Sequence, residues 1–332
     1  MAATSHDVAR LAGVSQPTVS RALRDQRGVS ASTRRRVREA ARALGYVPIQ
    51  SGRALSTQTT GRIGIVSAEL SNPFYPTLIE PIHDRLADAG FRTILVTDRG
   101  DVPVELEPLV DGSLDGIIIT TCERSSTLPG ELARRGVPFV LLNRVVDTVD
   151  ADRCVVDNTA GAALVADFLV DLGHTDIAAV FGPAETSTGL ERARGFAQRL
   201  ADHGMTLPTR LIHEGPFTPR TGTEAFNAFV QHRPTAVFCA NDVIAFGVLN
   251  AARTAGVRIP DELTVVGFDD IPMASWEVLN LTTIRSDLNE LASAAVALLI
   301  RRMETPESPR ESVVLRPELI ARGTHGPPRE DP

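Results

Sequence analysis

From Arg62 onward, short apolar runs return again and again, each separated from the next by a longer stretch of helical periodicity. The runs read as strands at 63–67, 93–97, 116–120, 139–142, 177–181, 236–239 and 264–267, and the stretches between them as helices at 75–89, 159–172, 190–203, 220–231 and 242–255. A strand that is apolar along its whole length needs cover on both faces, and a helix between successive strands supplies it. The alternation therefore predicts an α/β fold with parallel sheets. About 270 residues follow this pattern, too many for one simple sheet, so two similar lobes are expected.

The first 60 residues are different. They carry ten Arg against Asp7, Asp25 and Glu39, a balance of +7, whereas the remainder carries 24 Arg against 38 acids, a balance of −14. The net charge of −7 hides a small basic head on an acidic body, the asymmetry expected when only the head meets phosphate. Within the head, residues 5–12 read as a short helix capped by Ser5, with Val8, Leu11 and Ala12 on one face. Gly13 stops it. Ser15 caps a second helix, 16–24, with Pro17 in its first turn and Val19, Ala22 and Leu23 inward. Ser32 caps a third, 33–44, burying Val37, Ala40, Ala41 and Leu44. Two short helices around a glycine turn match the helix-turn-helix pattern, in which the second helix enters the major groove. Ser15, Gln16, Pro17, Ser20 and Arg21 form its leading face; Gln16 can bond adenine twice, and Arg21 can reach guanine or phosphate. Taken alone, the pattern fits equally a helical bundle with a solvated arginine face.

Enzymatic signatures are missing. Every basic residue is Arg, so no lysine-containing phosphate loop exists, and Ser67-Ala68-Glu69-Leu70 stands where a glycine-rich dinucleotide turn would follow the first strand. The seven His are scattered, and Asp269/Asp270 have no third metal ligand nearby in sequence. Cys122, Cys154 and Cys239 are odd in number and far apart, which fits neither a disulfide framework nor a metal knuckle. No catalytic residue, metal or cofactor is expected. There is no apolar run of about 18 residues, so no membrane partner is expected. Residues 1–7 lack a basic patch leading into an apolar stretch, which predicts a cytoplasmic protein.

Ligands of parallel sheets sit beyond the strand carboxyl ends. There stand Ser71-Asn72-Pro73-Phe74-Tyr75, Asn143-Arg144, Asn241-Asp242 and Asp269-Asp270. Amide, carboxylate and guanidinium groups converging on one cleft can bond several hydroxyls, and Phe74, Phe217 and Trp276 can supply apolar walls. Each residue by itself also suits a cap or a turn.

V-A-R-L-A-G-V-S-Q-P-T-V-S-R-A-L at 8–23 and V-S-A-S-T-R-R-R-V-R-E-A-A-R-A-L-G-Y-V-P at 29–48 closely resemble the head of LacI-type repressors. S-N-P-F-Y, L-L-N-R, V-D-N-T-A-G-A, L-G-H-T-D-I-A, E-R-A-R-G-F, C-A-N-D-V-I-A-F-G-V, V-V-G-F-D-D-I-P and N-L-T-T-I-R resemble landmarks of that family's effector domain, itself similar to periplasmic sugar-binding proteins. The resemblance implies a helix-turn-helix head at 1–48, a hinge linker at 49–60, an effector-binding and dimerisation domain at 61–325, and a tail at 326–332. It divides the effector domain into a first lobe of 61–156 and 288–312 and a second of 157–284 and 313–325. It implies DNA contacts at Ser15, Gln16, Pro17, Thr18, Ser20, Arg21, Ser30 and Tyr46. Leu55 would wedge into the minor groove from a hinge helix that forms on operator. It implies effector contacts at Phe74, Asn143, Thr188, Arg192, Phe217, Asn241, Asp269 and Trp276, with Arg192 foremost because its planar fork suits two adjacent oxygens. Asp270 is expected to brace its loop. The partners implied are pseudo-palindromic double-stranded operator DNA, a small-molecule effector (a sugar, which suits Phe74, Thr188 and Phe217 better than a purine does) and a second copy of the chain. The tail has no leucine heptad, so a dimer is expected rather than a tetramer.

The hinge departs from the family pattern, with Ile49 where Asn is usual and Gly52 where Ala is frequent. Gly costs a helix about 1 kcal/mol relative to Ala. The segment should therefore stay non-helical until the correct duplex is added, which circular dichroism of the chain with and without operator would check.

Overall fold

The computed structural model describes residues 3–23, 28–46, 59–97 and 106–329. The chain separates into two compact units, Met1–Thr60 and Gly61–Pro332. The first holds α1 (Ser5–Ala12), α2 (Gln16–Leu23) and α3 (Ala31–Ala43). They close on Val8, Ala9, Ala12, Val19, Ala22, Val37, Ala40 and Ala41.

Two caps move from their expected places. Thr4, not Ser5, caps α1, in a reciprocal box with Asp7. Ser30, not Ser32, caps α3, accepting the Thr33 amide at 3.2 Å. Where two hydroxyl residues lie one or two positions apart, either can satisfy the orphan amides, and the chain's approach to the helix decides. Leu11 and Leu44, expected inward, are exposed at 57% and 37%. Ala9 turns in beside Ala12 instead, and such small side chains let helices approach closely. Gly13, at φ 61°, ends α1 in the left-handed region that favours glycine.

In the second unit the first lobe is built from β1 (Arg62–Ser67), α4 (Phe74–Asp88), β2 (Arg92–Thr97), α5 (Glu107–Val110), β3 (Gly116–Ile119), α6 (Leu128–Arg134), β4 (Phe139–Leu142) and β5 (Arg153–Val156). The chain then crosses to α7 (Asn158–Asp171), β6 (Ile177–Phe181), α8 (Ser187–Asp202), β7 (Ile212–Glu214), α9 (Pro219–Phe229), β8 (Ala236–Cys239), α10 (Asp242–Thr254) and β9 (Thr264–Val266). After β10 (Thr283–Arg285) it returns through α11 (Leu288–Glu304) and β11 (Ser312–Leu315) before β12 (Glu318–Ile320). The first sheet runs β11-β5-β4-β3-β1-β2 and the second β7-β6-β8-β9, with every pairing parallel.

Apart from the exposed edge strand β2, each sheet is covered on both faces, as continuous apolar strands require. Ile63 and Ile65 pack with Leu78, Ile82 and Leu299 on one face of the first sheet, while Val66, Ile117 and Ile119 meet Leu109 and Leu132 on the other. In the second sheet Val237 and Val265 meet Phe226 and Val248, while Phe238 and Val266 meet Val165 and Phe196.

Most of the elements not read from sequence share a cause; α11, with 17 residues, is the exception, lying beyond the last strand of the alternation read from sequence. β5, β7, β10, β11 and β12 have three or four residues each, too few to show a period, and α5 and α6 are similarly short. β10 and β12 pair antiparallel, a departure from the all-parallel expectation. The lobe boundary expected between 312 and 313 falls inside β11. All four residues of that strand pair with β5 in the first sheet, so the second lobe resumes only after Leu315.

A buried ion pair secures that return. Asp152 accepts from Arg302 Nε at 2.7 Å, from Arg301 Nη2 at 3.0 Å and from the Glu311 amide at 2.9 Å. Arg302 also donates to the carbonyls of Pro306, Ser308 and Pro309. Removing one partner of such a pair strands the other in low dielectric, at a cost of about 3–5 kcal/mol. Asp152→Ala should lose about that much stability, read from the midpoint of urea denaturation; a change within about 0.5 kcal/mol, typical of a surface site, would contradict it.

Candidate functional site

Seven of the eight residues expected to face an effector line one cavity between the lobes: Phe74, Asn143, Thr188, Arg192, Phe217, Asn241 and Asp269, joined by Asn72, Tyr75 and Arg144. The fold brings them there through the strand ends. Phe74 opens α4 after β1, Asn143 follows β4, Asn241 follows β8 and Asp269 follows β9, while Thr188 and Arg192 lie on the first turns of α8. The side chains leave about 10 Å³ of free space, close to the room of a single water.

Arg192 is buried, and every branch of its guanidinium is held. Nε donates to Asn158 Oδ1 at 2.8 Å, Nη1 donates to the Ala240 carbonyl at 2.6 Å, and Nη2 pairs with Asp269 Oδ1 at 2.9 Å. Its Cζ lies 3.8 Å from the centre of the Phe268 ring. Asn158, which donates to the Val156 carbonyl at 3.2 Å and to Glu191 Oε2 at 3.0 Å, is thereby fixed as the acceptor for Nε.

Asp269 sits at φ 116°, a region that costs a residue with a side chain about 1–3 kcal/mol. Three contacts hold it there. Its amide donates to the Ile284 carbonyl at 2.8 Å, neighbouring Asp270 pairs with Arg322 at 2.6 Å, and buried Asp242 accepts the Ile271 amide at 2.9 Å. Asp270 thus braces the loop, as expected from sequence. Burial pushes the Asp269 carboxyl up to about 6, against the opposing pull of Arg192. Burial, then the charge of Asp269, pushes Asp242 well above the ordinary range. Asn143, at φ 69°, also occupies the left-handed region, which Asn tolerates better than most residues. Asn241 caps α10, accepting the Ile244 amide at 2.9 Å, so its carboxamide oxygen is already used.

Trp276 does not reach the cavity. It follows the turn Pro272–Ser275, which turns Ala274 into the core and leaves the indole more than half exposed. Tyr75 and Arg144 were read from sequence at the strand ends but not among the expected effector contacts, and Asn158 was not expected at the site. Tyr75 and Arg144 stand beside selected residues at the same strand ends, and that adjacency was the available signal. Asn158 gives none, because its role arises from contact with a residue 34 positions away.

In the head, Ser15, just before α2, and Pro17 and Arg21 on it are exposed, with Gln16, Thr18 and Ser20 half-buried beside them. Ser15 and Thr18 hydroxyls pair at 2.9 Å. Ser30 is exposed, but its hydroxyl serves as the α3 cap and donates to Thr33 Oγ1 at 2.8 Å. Tyr46 packs on the head core. Leu55, with Ile49 and Gly52, lies outside the described residues. Among the described residues no group of three His, Cys, Asp or Glu could hold a metal, and no helix is long and apolar enough to cross a membrane. Burial pushes the Cys122 and Cys154 thiols up to about 12, so neither is a ready thiolate.

Comparison with known proteins agrees with this geometry. Residues 4–48 match the model of bacterial regulatory proteins of the lacI family, and residues 166–325 match that of the periplasmic binding protein-like domain. The chain is 31% identical over 326 residues to the HTH-type transcriptional repressor PurR of Photobacterium profundum, covering 96% of this chain and 98% of the relative. A lac repressor dimer bound to operator and the anti-inducer ONPF superposes with a TM-score of 0.84 at 26% identity, over 98% of this chain and 99% of that one. The transcriptional regulator CelR in complex with cellobiose gives 0.74 at 29% identity, over 97% and 99%.

The Arg192–Asp269 pair makes a titration testable. Because the folded carboxyl lies above its ordinary value, the proton it binds stabilises the fold; that contribution is complete below the usual aspartate range and is lost as pH rises through about 6. Carbon-13 NMR of the Asp269 carboxyl should show a midpoint near pH 6. In Arg192→Ala, where the guanidinium no longer favours the anion, the midpoint should move higher; an unmoved or lower midpoint would refute the pairing.

Proposed function

This chain belongs to the lacI family of bacterial regulatory proteins, and from that premise we propose that it is a cytoplasmic transcriptional repressor whose grip on operator DNA is set by a small molecule, a sugar, held between its two lobes. The observation that carries the reading is the interlobe cavity, whose polar groups converge from both lobes in a chain that also bears a basic helix-turn-helix. Phe74 and Phe217 wall the ligand, Asn143 and Thr188 bond its hydroxyls, and the Arg192–Asp269 pair presents a donor and an acceptor to adjacent oxygens. The cellobiose complex of CelR supports a carbohydrate in this place.

The chain works as a homodimer. Two heads then read two half-sites of a pseudo-palindrome, because the symmetry of the protein is matched by that of the site. The operator-bound dimer of the lac repressor supports this. Strand β2, at the edge of the first sheet, exposes Ile94 and Leu95 at 40% and 43%, an apolar edge that a second copy would cover. Ligand shifts the balance between DNA-competent and incompetent forms by its differential affinity for them.

Fluorescence anisotropy with an inverted-repeat duplex, with and without a sugar panel, tests the reading. Arg192→Ala should keep operator affinity and lose the response to sugar. Arg21→Ala should weaken operator binding by about 1–3 kcal/mol, about 5- to 150-fold, and keep sugar binding. No preference for any inverted repeat over random duplex at near-physiological salt would sink the proposal.

A further inference from the structure

The cavity holds two buried guanidinium groups, and they are anchored differently. Arg192 spends all three branches on protein partners. Arg144, with 6% of its side chain exposed, has one ion pair, from Nη2 to Glu69 Oε1 at 3.2 Å. Glu69 is itself 39% exposed, so it is a solvated and weakly held partner. The Nε of Arg144 is buried and has no hydrogen-bond partner. A buried donor left unmade carries a free-energy penalty, and a native fold keeps one only for a reason.

Its surroundings point to a ligand. The guanidinium lies 5.8 Å from the Tyr75 ring of the first lobe and 5.6 Å from the Phe217 ring of the second. Aromatic faces attract the cation but leave the in-plane N–H groups free. Of the charged groups lining the cavity, Asp269 is committed to Arg192. The lining itself therefore carries one positive charge in excess, met only by the half-exposed Glu69 outside it, on a fork whose Nε is open.

We propose that the effector bears an acidic group, a phosphate ester or a carboxylate, and that Arg144 selects it. This rests on the interlobe cavity being the effector site. An oxyanion offers in-plane acceptors to Nε and a neighbouring Nη at once, the geometry in which arginine exceeds any neutral donor. A neutral polyol would meet Arg192, Asp269 and Asn143 equally well but would leave the charge of Arg144 to Glu69 alone. The charged end of the ligand would lie where Tyr75 and Phe217 face each other, so the group that recognises the acid also spans the two lobes.

Isothermal titration calorimetry of the full chain with glucose, ribose, glucose 6-phosphate, ribose 5-phosphate, gluconate and glucuronate tests this, with inorganic phosphate as a separate arm. An acidic member should bind at least about tenfold tighter than its neutral parent, which is about 1.4 kcal/mol. Whether the phosphates or the acids show the gap names the group, and phosphate binding alone at the same affinity would mean that the sugar contributes nothing and would overturn the proposal. R144Q should erase the gap by weakening the acidic member at least about tenfold more than its neutral parent; R144K, which keeps the charge, should restore part of it, a rescue that a merely unfolded variant could not show. Equal affinity for neutral and acidic members, equal weakening of both by R144Q, or no binding of any acidic member would overturn the proposal. A chain that prefers an inverted repeat and responds only to neutral sugars would refute this inference and leave the regulator standing, whereas loss of operator preference would remove the regulator itself.

Discussion

A guanidinium taken out of water must be met on every side, and Arg192 is met by four residues from three elements at once. Asn158 comes from the start of α7, Ala240 from the end of β8, and Phe268 and Asp269 from the loop after β9. None of these partners is near in sequence, so the charge is tolerable only when the second lobe is fully assembled. Packing makes the reach short enough. A Cβ on Gly195 would come within 2.4 Å of the Thr159 carbonyl, so only glycine lets α7 and α8 lie that close and brings Asn158 to Arg192. Removing a carboxylate from such a cluster costs more than the pair contributes, because the stranded cation bears the full desolvation penalty.

The strained loop after β9 follows from the same requirement. Asp269 can reach Arg192 only from a backbone that side chains avoid, and the surrounding contacts hold it there. Asp242 beneath the loop accepts the Ile271 amide and the Thr283 hydroxyl. It is a buried carboxyl next to another one, which burial and mutual repulsion both push toward the neutral form. The acid that faces the cavity and the acid that supports it differ in surroundings: one is opposed by an arginine, the other by hydrogen-bond donors alone.

How much of this could be read in advance depends on the physical scale of each signal. Strands β1, β3, β4, β6 and β8 are buried runs of four or more residues, and continuous hydrophobicity alone marks them. Strands β5 and β11 have only four positions each, so their pattern cannot be told from a loop's, and the lobe boundary was misplaced by three residues, inside β11. The head's three helices were legible, but their caps were not, since Thr4 and Ser5, or Ser30 and Ser32, offer the same hydroxyl to the same amides. In the cavity, residues at the ends of readable strands were found, and Arg192 came from resemblance to a known motif. Trp276 was misjudged because an aromatic on a loop can face either way, and the burial of Ala274 decides it. Arg144, read at the same strand end as Asn143, was not chosen as an effector contact, because sequence does not show that two adjacent polar residues both turn inward, as these do.

Arginine serves this chain in two opposite settings. In the head, Arg21 stands in water, where its attraction for phosphate is long in range, is screened by ions within about 10 Å at 0.1 M salt, and draws its strength from counterion release. In the cavity, Arg144 and Arg192 stand away from water, where screening is weak and a misplaced oxygen is costly, so what they gain is discrimination rather than reach. The first setting suits a surface that must find a duplex among many; the second suits a cleft that must tell one metabolite from its neighbours. A chain with no lysine meets both needs with one side chain by varying only how much water surrounds it.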